Sequence, residues 1–213
     1  MKAFITLLLA LLTTGTIAQG QTDWKQSLKE ELAQLEKTTD FTIWQQGAEK
    51  IGNLAVAHPE EWLLQYYTGW AYTQSSFRAP KGEAESATEK AGPYVKKALD
   101  LQPGNTETLA LMAYWLSARI NANNSRGMSL GPDSRSYSDK AIAADSANPR
   151  AYLMKALVIY HTPALFGGGK KKAAPIVEEA GHRFAGFKPE HELDPHWGNE
   201  IFKELEKELE AEH

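Results

Sequence analysis

The sequence predicts an all-α protein built as a solenoid of helix pairs. Three observations carry that prediction. Apolar residues recur at steps of three and four along most of the 213-residue chain. No segment alternates apolar and polar residues as a half-buried strand does. Pro59, Pro103 and Pro149 punctuate the chain 44 and 46 residues apart, with two helical stretches in each interval, and a fixed-interval helix pair is the signature of a repeat array.

The chain opens with MKAFITLLLALLTTGTIAQG. A lysine, an apolar run over residues 3–12 and a small-x-small site closed by Ala18 read as a signal peptide over residues 1–18. The run is shorter than the roughly 20 residues a bilayer-spanning helix needs. The reading is therefore an exported protein, periplasmic or secreted, and not integral to the membrane once cleaved. Residues 19–213 remain as one repeat domain. With no cysteine, neither disulfides nor thiol ligands hold it together. A formal net charge of −4 argues against a nucleic-acid partner, which calls for a basic face.

Trp24, Leu28, Leu32 and Leu35 form the first apolar stripe, which Thr38-Thr39-Asp40 ends with cap-forming side chains. Ile43, Trp44, Ala48, Ile51, Leu54 and Ala55 form the second, stopping before Pro59. The third, from Trp62 to Ser75, is crowded with aromatics: Trp62, Tyr66, Tyr67, Trp70 and Tyr72. Further pairs follow, with SSFRAPKGEAES and NANNSRGMSLGPDS read as the loops inside them. In the final segment Ile201, Phe202, Leu205 and Leu209 share one face, and the charged remainder suits a capping helix from about residue 197.

These residues resemble the tetratricopeptide repeat (TPR) family. With Pro59 closing one unit, Gly69 and Tyr72 fall at the small and aromatic positions of the next unit's first helix. Ala91 and Ala98 fall at the small positions of its second helix, Pro103 closes it, and Pro149 closes the following unit. The resemblance implies an α-solenoid of TPR-like repeats. The intervals exceed the family's 34-residue unit by ten and twelve residues, which predicts enlarged loops within the repeats.

TPALFGGGKKK, residues 162–172, raises the question of a phosphate-binding loop. That motif needs G-x-x-x-x-G-K followed by Ser or Thr, between a strand and a helix. Ala164 stands at its first glycine, Lys171 replaces the hydroxyl, and a helix precedes it. The stretch reads instead as a turn between helices, with Phe166 plugging the core and Lys170 to Phe184 forming the next helix. It also resembles certain exported helical-repeat proteins associated with tripartite periplasmic transporters. His191 and His196 are five residues apart across Pro195, which breaks the i, i+4 helical geometry of a zinc site. No metal is expected.

No catalytic cluster emerges, so the protein reads as a non-enzymatic scaffold for protein–protein interaction that needs no cofactor. Its partner would be a protein or peptide held in the groove of the first helices. The alternative is a periplasmic small-molecule carrier or transporter-associated binding subunit. Candidate binding residues are Tyr66, Trp70 and Tyr114, whose aromatic side chains serve as anchors, and the cations Lys170 and Lys171. N-terminal sequencing of protein recovered after export should begin at Gln19; an intact Met1 would contradict the leader.

Overall fold

Asn105 and Asn148 show how the chain starts its helices. The computed structural model describes residues 16–211, with side chains from Trp24 onward; the leader's apolar run lies outside them. Asn105 caps α5 (Thr106–Ala122), accepting from the Glu107 amide at 2.8 Å. Asn148 caps α7 (Pro149–His161), accepting from the Arg150 amide at 2.9 Å. Pro149 follows at the first helical position, where its fixed φ and missing N–H cost nothing. Asp40 does the same for α2 (Phe41–Ala57), accepting from the Ile43 amide at 3.0 Å. Each such cap satisfies an amide that the helix itself leaves unpaired.

The remaining helices are α1 (Thr16–Leu35), α3 (Trp62–Arg78), α4 (Ala84–Leu101), α6 (Gly127–Ala144), α8 (Lys170–Gly186) and α9 (Asn199–Glu210). The described residues are thus all-helical, with short 3-10 turns at Asn124–Arg126 and Ala164–Phe166. Consecutive helices pack on one another from α1 to α8, and α9 packs on α8. In addition α3, α5 and α7 pack side by side, forming an inner row. Such a row must be apolar nearly all round, and α3 is buried continuously from Leu64 to Ser76. Its threonine hydroxyls return to their own helix: Thr68 donates to the Leu64 carbonyl and Thr73 to that of Gly69, both at 2.7 Å. The burial of these two threonines therefore leaves neither hydroxyl unpaired.

The enlarged loops expected within the repeats are absent. The surplus residues lengthen helices instead: α3 runs on to Arg78, and α6 absorbs most of the NANNSRGMSLGPDS stretch despite Pro132 inside it. Leu130, Ser134, Tyr137, Ser138 and Ala141 turn one face of α6 inward, and Ser134 donates to the Ala113 carbonyl at 2.9 Å. That inward face, assembled by tertiary packing, outweighs the local turn preference of Gly131-Pro132. Phe166 does not plug the core; it is 61% exposed and Leu165 is 89% exposed.

Pro59 and Pro103 lie in the turns after α2 and α4. Gly69 lies where α3 meets α4. A Cβ there would sit 2.7 Å from Val95 Cγ2 and 3.1 Å from the Val95 backbone nitrogen, so the two backbones approach because the side chain is missing. Ala91 and Ala98 are buried on α4, and Tyr72 stacks on Tyr94 at a centroid distance of 6.2 Å. Gly69→Leu should cost at least the ~1–3 kcal/mol typical of overpacking and lower the melting temperature. An unchanged melting curve would refute the close approach.

Candidate functional site

The inner row carries a buried ion pair at one end. Arg150, wholly buried near the start of α7, reaches Glu107 in the first turn of α5 with two parallel bonds. Its Nε lies 2.7 Å from Oε2 and its Nη2 2.5 Å from Oε1. Asn148 Nδ2 donates to the same carboxylate at 2.9 Å and to Thr106 Oγ1 at 3.0 Å. Burial works to lower the Arg150 pKa, but the Glu107 hydrogen bonds and charge outweigh it and hold the guanidinium above its ordinary value. The guanidinium stays charged, because its fork of donors matches the carboxylate geometry of Glu107.

Over this pair runs an irregular strap, residues 187–198, between α8 and α9. Arg150 stacks over the Phe187 ring at 4.4 Å and donates from Nη1 to the Trp197 carbonyl at 3.4 Å. Tyr67 donates from its hydroxyl to the Leu193 carbonyl at 2.9 Å, and Trp197 Nε1 donates to the Tyr66 hydroxyl at 2.8 Å. Trp197 also stacks on Tyr114, with centroids 5.2 Å apart, and leans on Trp70 at 6.4 Å. Burial, and then the Glu107 charge, push the Tyr66 and Tyr67 hydroxyls well above the ordinary phenol value, so both remain neutral donors. His196 meets Glu36 of the α1–α2 turn at 3.0 Å, an ordinary surface contact. Among the described residues no group of side chains is arranged to hold a metal.

The aromatic residues singled out from the sequence are therefore interior. Tyr66, Trp70 and Tyr114 are buried beneath the strap rather than lining an open groove, because Trp197 occupies the space beside them. Lys170 and Lys171 lie apart from them, in the first turn of α8, where Lys170 Nζ sits 5.5 Å from the Tyr160 ring centre. Two glycines hold the preceding turn in left-handed conformations, Gly167 at φ 87° and Gly169 at φ 98°.

What the structure does open is a cavity of about 660 Å³ between the strap and the helix ends. Trp62, Thr106, Glu107, Asn148 and Arg150 line it from the first turns of α3, α5 and α7 and their caps; His182, Arg183 and Phe187 line it from the α8 side. Three helix N-termini thus face one space, and each carries a partial positive charge. Lys188 on the strap adds a cation, while Asp145, Glu190 and Asp194 supply acidic groups to the lining. The volume falls in the ~300–1,000 Å³ range of small-molecule sites. None of Glu107, Asn148, Arg150, His182 or Phe187 stood out in the sequence, since no short motif links positions about forty residues apart.

No protein-family model matches the chain, and no curated protein matches it. Among solved structures it is similar to the HusA haemophore from Porphyromonas gingivalis. The TM-score is 0.77 at 29% sequence identity, over 89% of this chain and 94% of that one. The similarity thus extends over nearly the whole of both chains and relates this one to a binding protein.

The buried pair gives a direct stability test. Glu107→Ala leaves the Arg150 charge uncompensated and should destabilise the fold by ~3–5 kcal/mol. The double change Glu107→Leu with Arg150→Met should cost less than Glu107→Ala alone, read from urea unfolding of the variants. A double variant less stable than the single one would refute the account of the pair.

Proposed function

We propose that this protein is an exported, non-catalytic carrier of a planar, carboxylate-bearing ligand of the haem and porphyrin class, held in the cavity between the strap and the ends of α3, α5 and α7. The similarity to a haemophore across nearly the whole chain carries this reading, and the cavity supports it. Trp62 and Phe187 offer apolar faces to a flat ring, while Arg183, Lys188 and three helix N-termini suit its carboxylates. His182 is the one imidazole in the lining and is the side chain we assign to the iron.

The scaffold reading finds less support, because the face of the inner row that a peptide would occupy is covered by the strap. The side-by-side packing of α3, α5 and α7 agrees with a TPR-like array, and we read the helix pairs as divergent repeats of that kind. The leader fits delivery outside the cytoplasm, where such a carrier would meet its ligand.

Titration with haem and with iron-free protoporphyrin tests the proposal, using Soret absorbance and porphyrin fluorescence. Saturable binding of both is expected, with Phe187→Ala weakening each on the order of tenfold through the lost ring contact. His182→Ala should change the haem spectrum yet leave protoporphyrin binding intact. Esterifying the carboxylates should weaken binding to the wild type and much less to Arg183→Gln with Lys188→Gln. No saturable binding of either compound would overturn the reading.

A further inference from the structure

The turn between α7 and α8 projects an apolar tip that the ligand cavity does not use. Pro163, Ala164, Leu165 and Phe166 are exposed in sequence, with Leu165 and Phe166 the bulk of it. Single exposed apolar side chains are common, but a contiguous run of them held out in water marks an interaction site. This tip is built rather than loose. Gly169 N donates to the Ile159 carbonyl at 2.9 Å and Gly168 N to that of Pro163 at 3.3 Å. A side chain at residue 168 would collide with the Thr162 carbonyl, 2.2 Å from the Cβ position. The turn can close only with glycine there, and closing it fixes Leu165 and Phe166 outward.

Beside the tip stand Lys171 and Lys172, both exposed, and Lys170, packed on Tyr160. Lys172 Nζ reaches back to the Gly167 carbonyl at 3.3 Å, which places its charge against the turn. The first turn of α8 holds no acidic residue; Glu208 of α9 is the carboxylate that interacts with neighbouring Tyr160 and His161. Three consecutive cations at a helix N-terminus oppose the helix dipole, and they occur in a chain whose net charge is −4.

We infer that this tip docks the protein on an anionic lipid surface, with Leu165 and Phe166 entering the headgroup–acyl boundary and Lys171 and Lys172 meeting the lipid phosphates. Four apolar residues are far fewer than the roughly 20–30 residues a side of a stable protein interface. A bilayer asks for no matching shape, and a few inserted apolar side chains beside cations bind it weakly and reversibly. No helix among the described residues is long and apolar enough to cross a membrane, so the attachment is peripheral. It uses none of the residues assigned to the ligand cavity.

Co-sedimentation of protein recovered after export tests this, using vesicles of phosphatidylcholine alone and vesicles mixed with phosphatidylglycerol. Binding to the mixed vesicles is expected, weakening as salt rises. Leu165→Ser with Phe166→Ser, and separately Lys171→Gln with Lys172→Gln, should each reduce it about tenfold. Neither pair should move the melting temperature or haem titration. Failure of the wild type to bind mixed vesicles overturns the inference. So does binding that both variants retain, equal binding to phosphatidylcholine alone, or retention by an envelope protein with no affinity for vesicles.

Discussion

The ion pair between Arg150 and Glu107 is the constraint on which the arrangement of the inner helices and the strap depends. A buried guanidinium is tolerated only where every strong donor finds an acceptor, and here the acceptors come from α5 and from the strap's Trp197 carbonyl. Meeting that demand fixes the lateral register of α7 against α5. It also draws the strap across the end of the row. Once the strap lies there, Trp197 comes against Tyr114 and Trp70, and the space left beside Phe187 becomes the ligand-sized cavity. Polar satisfaction at one point thus sets the shape of an apolar interior and of the site next to it.

Much of the helical architecture was legible in the sequence because it is written locally. The stripe Trp24, Leu28, Leu32, Leu35 is buried as its spacing requires, and Ile201, Phe202, Leu205 and Leu209 turn inward on the last helix. Gly69 announced a backbone contact because only the absence of a side chain permits one. Where reading failed, two physical terms competed and tertiary packing won. Gly131-Pro132 favours a turn on its own, yet the inward-facing Leu130 before it and Ser134, Tyr137, Ser138 and Ala141 after it carry the helix through. Phe166 reads as core by composition, but the geometry of its turn sends it into solvent.

The site was less legible for a different reason. Glu107 and Arg150 are charged residues at helix starts, indistinguishable in the sequence from the many that are solvated. Only the fold brings them together, and only their burial makes them unusual. The aromatics misled in the opposite sense. Tyr66, Trp70 and Tyr114 have the chemistry of a binding face, but Trp197, distant in sequence and in an irregular segment without periodicity, already fills the place of a partner.

The strap has a consequence for the order in which the chain acquires its structure. It is synthesised after the helices it covers, yet its bonds reach back to α1, α3 and the turn after α1: Lys29 pairs with Glu192, Glu36 with His196, and Tyr66 and Tyr67 hold Trp197 and Leu193. Until those residues leave the ribosome, the inner row lacks its cover and Arg150 lacks one of its acceptors. Contacts of such long sequence separation are slow to form because chain closure must precede the gain they bring. The inner row therefore stays uncovered until the strap, which follows it in the chain, closes over it.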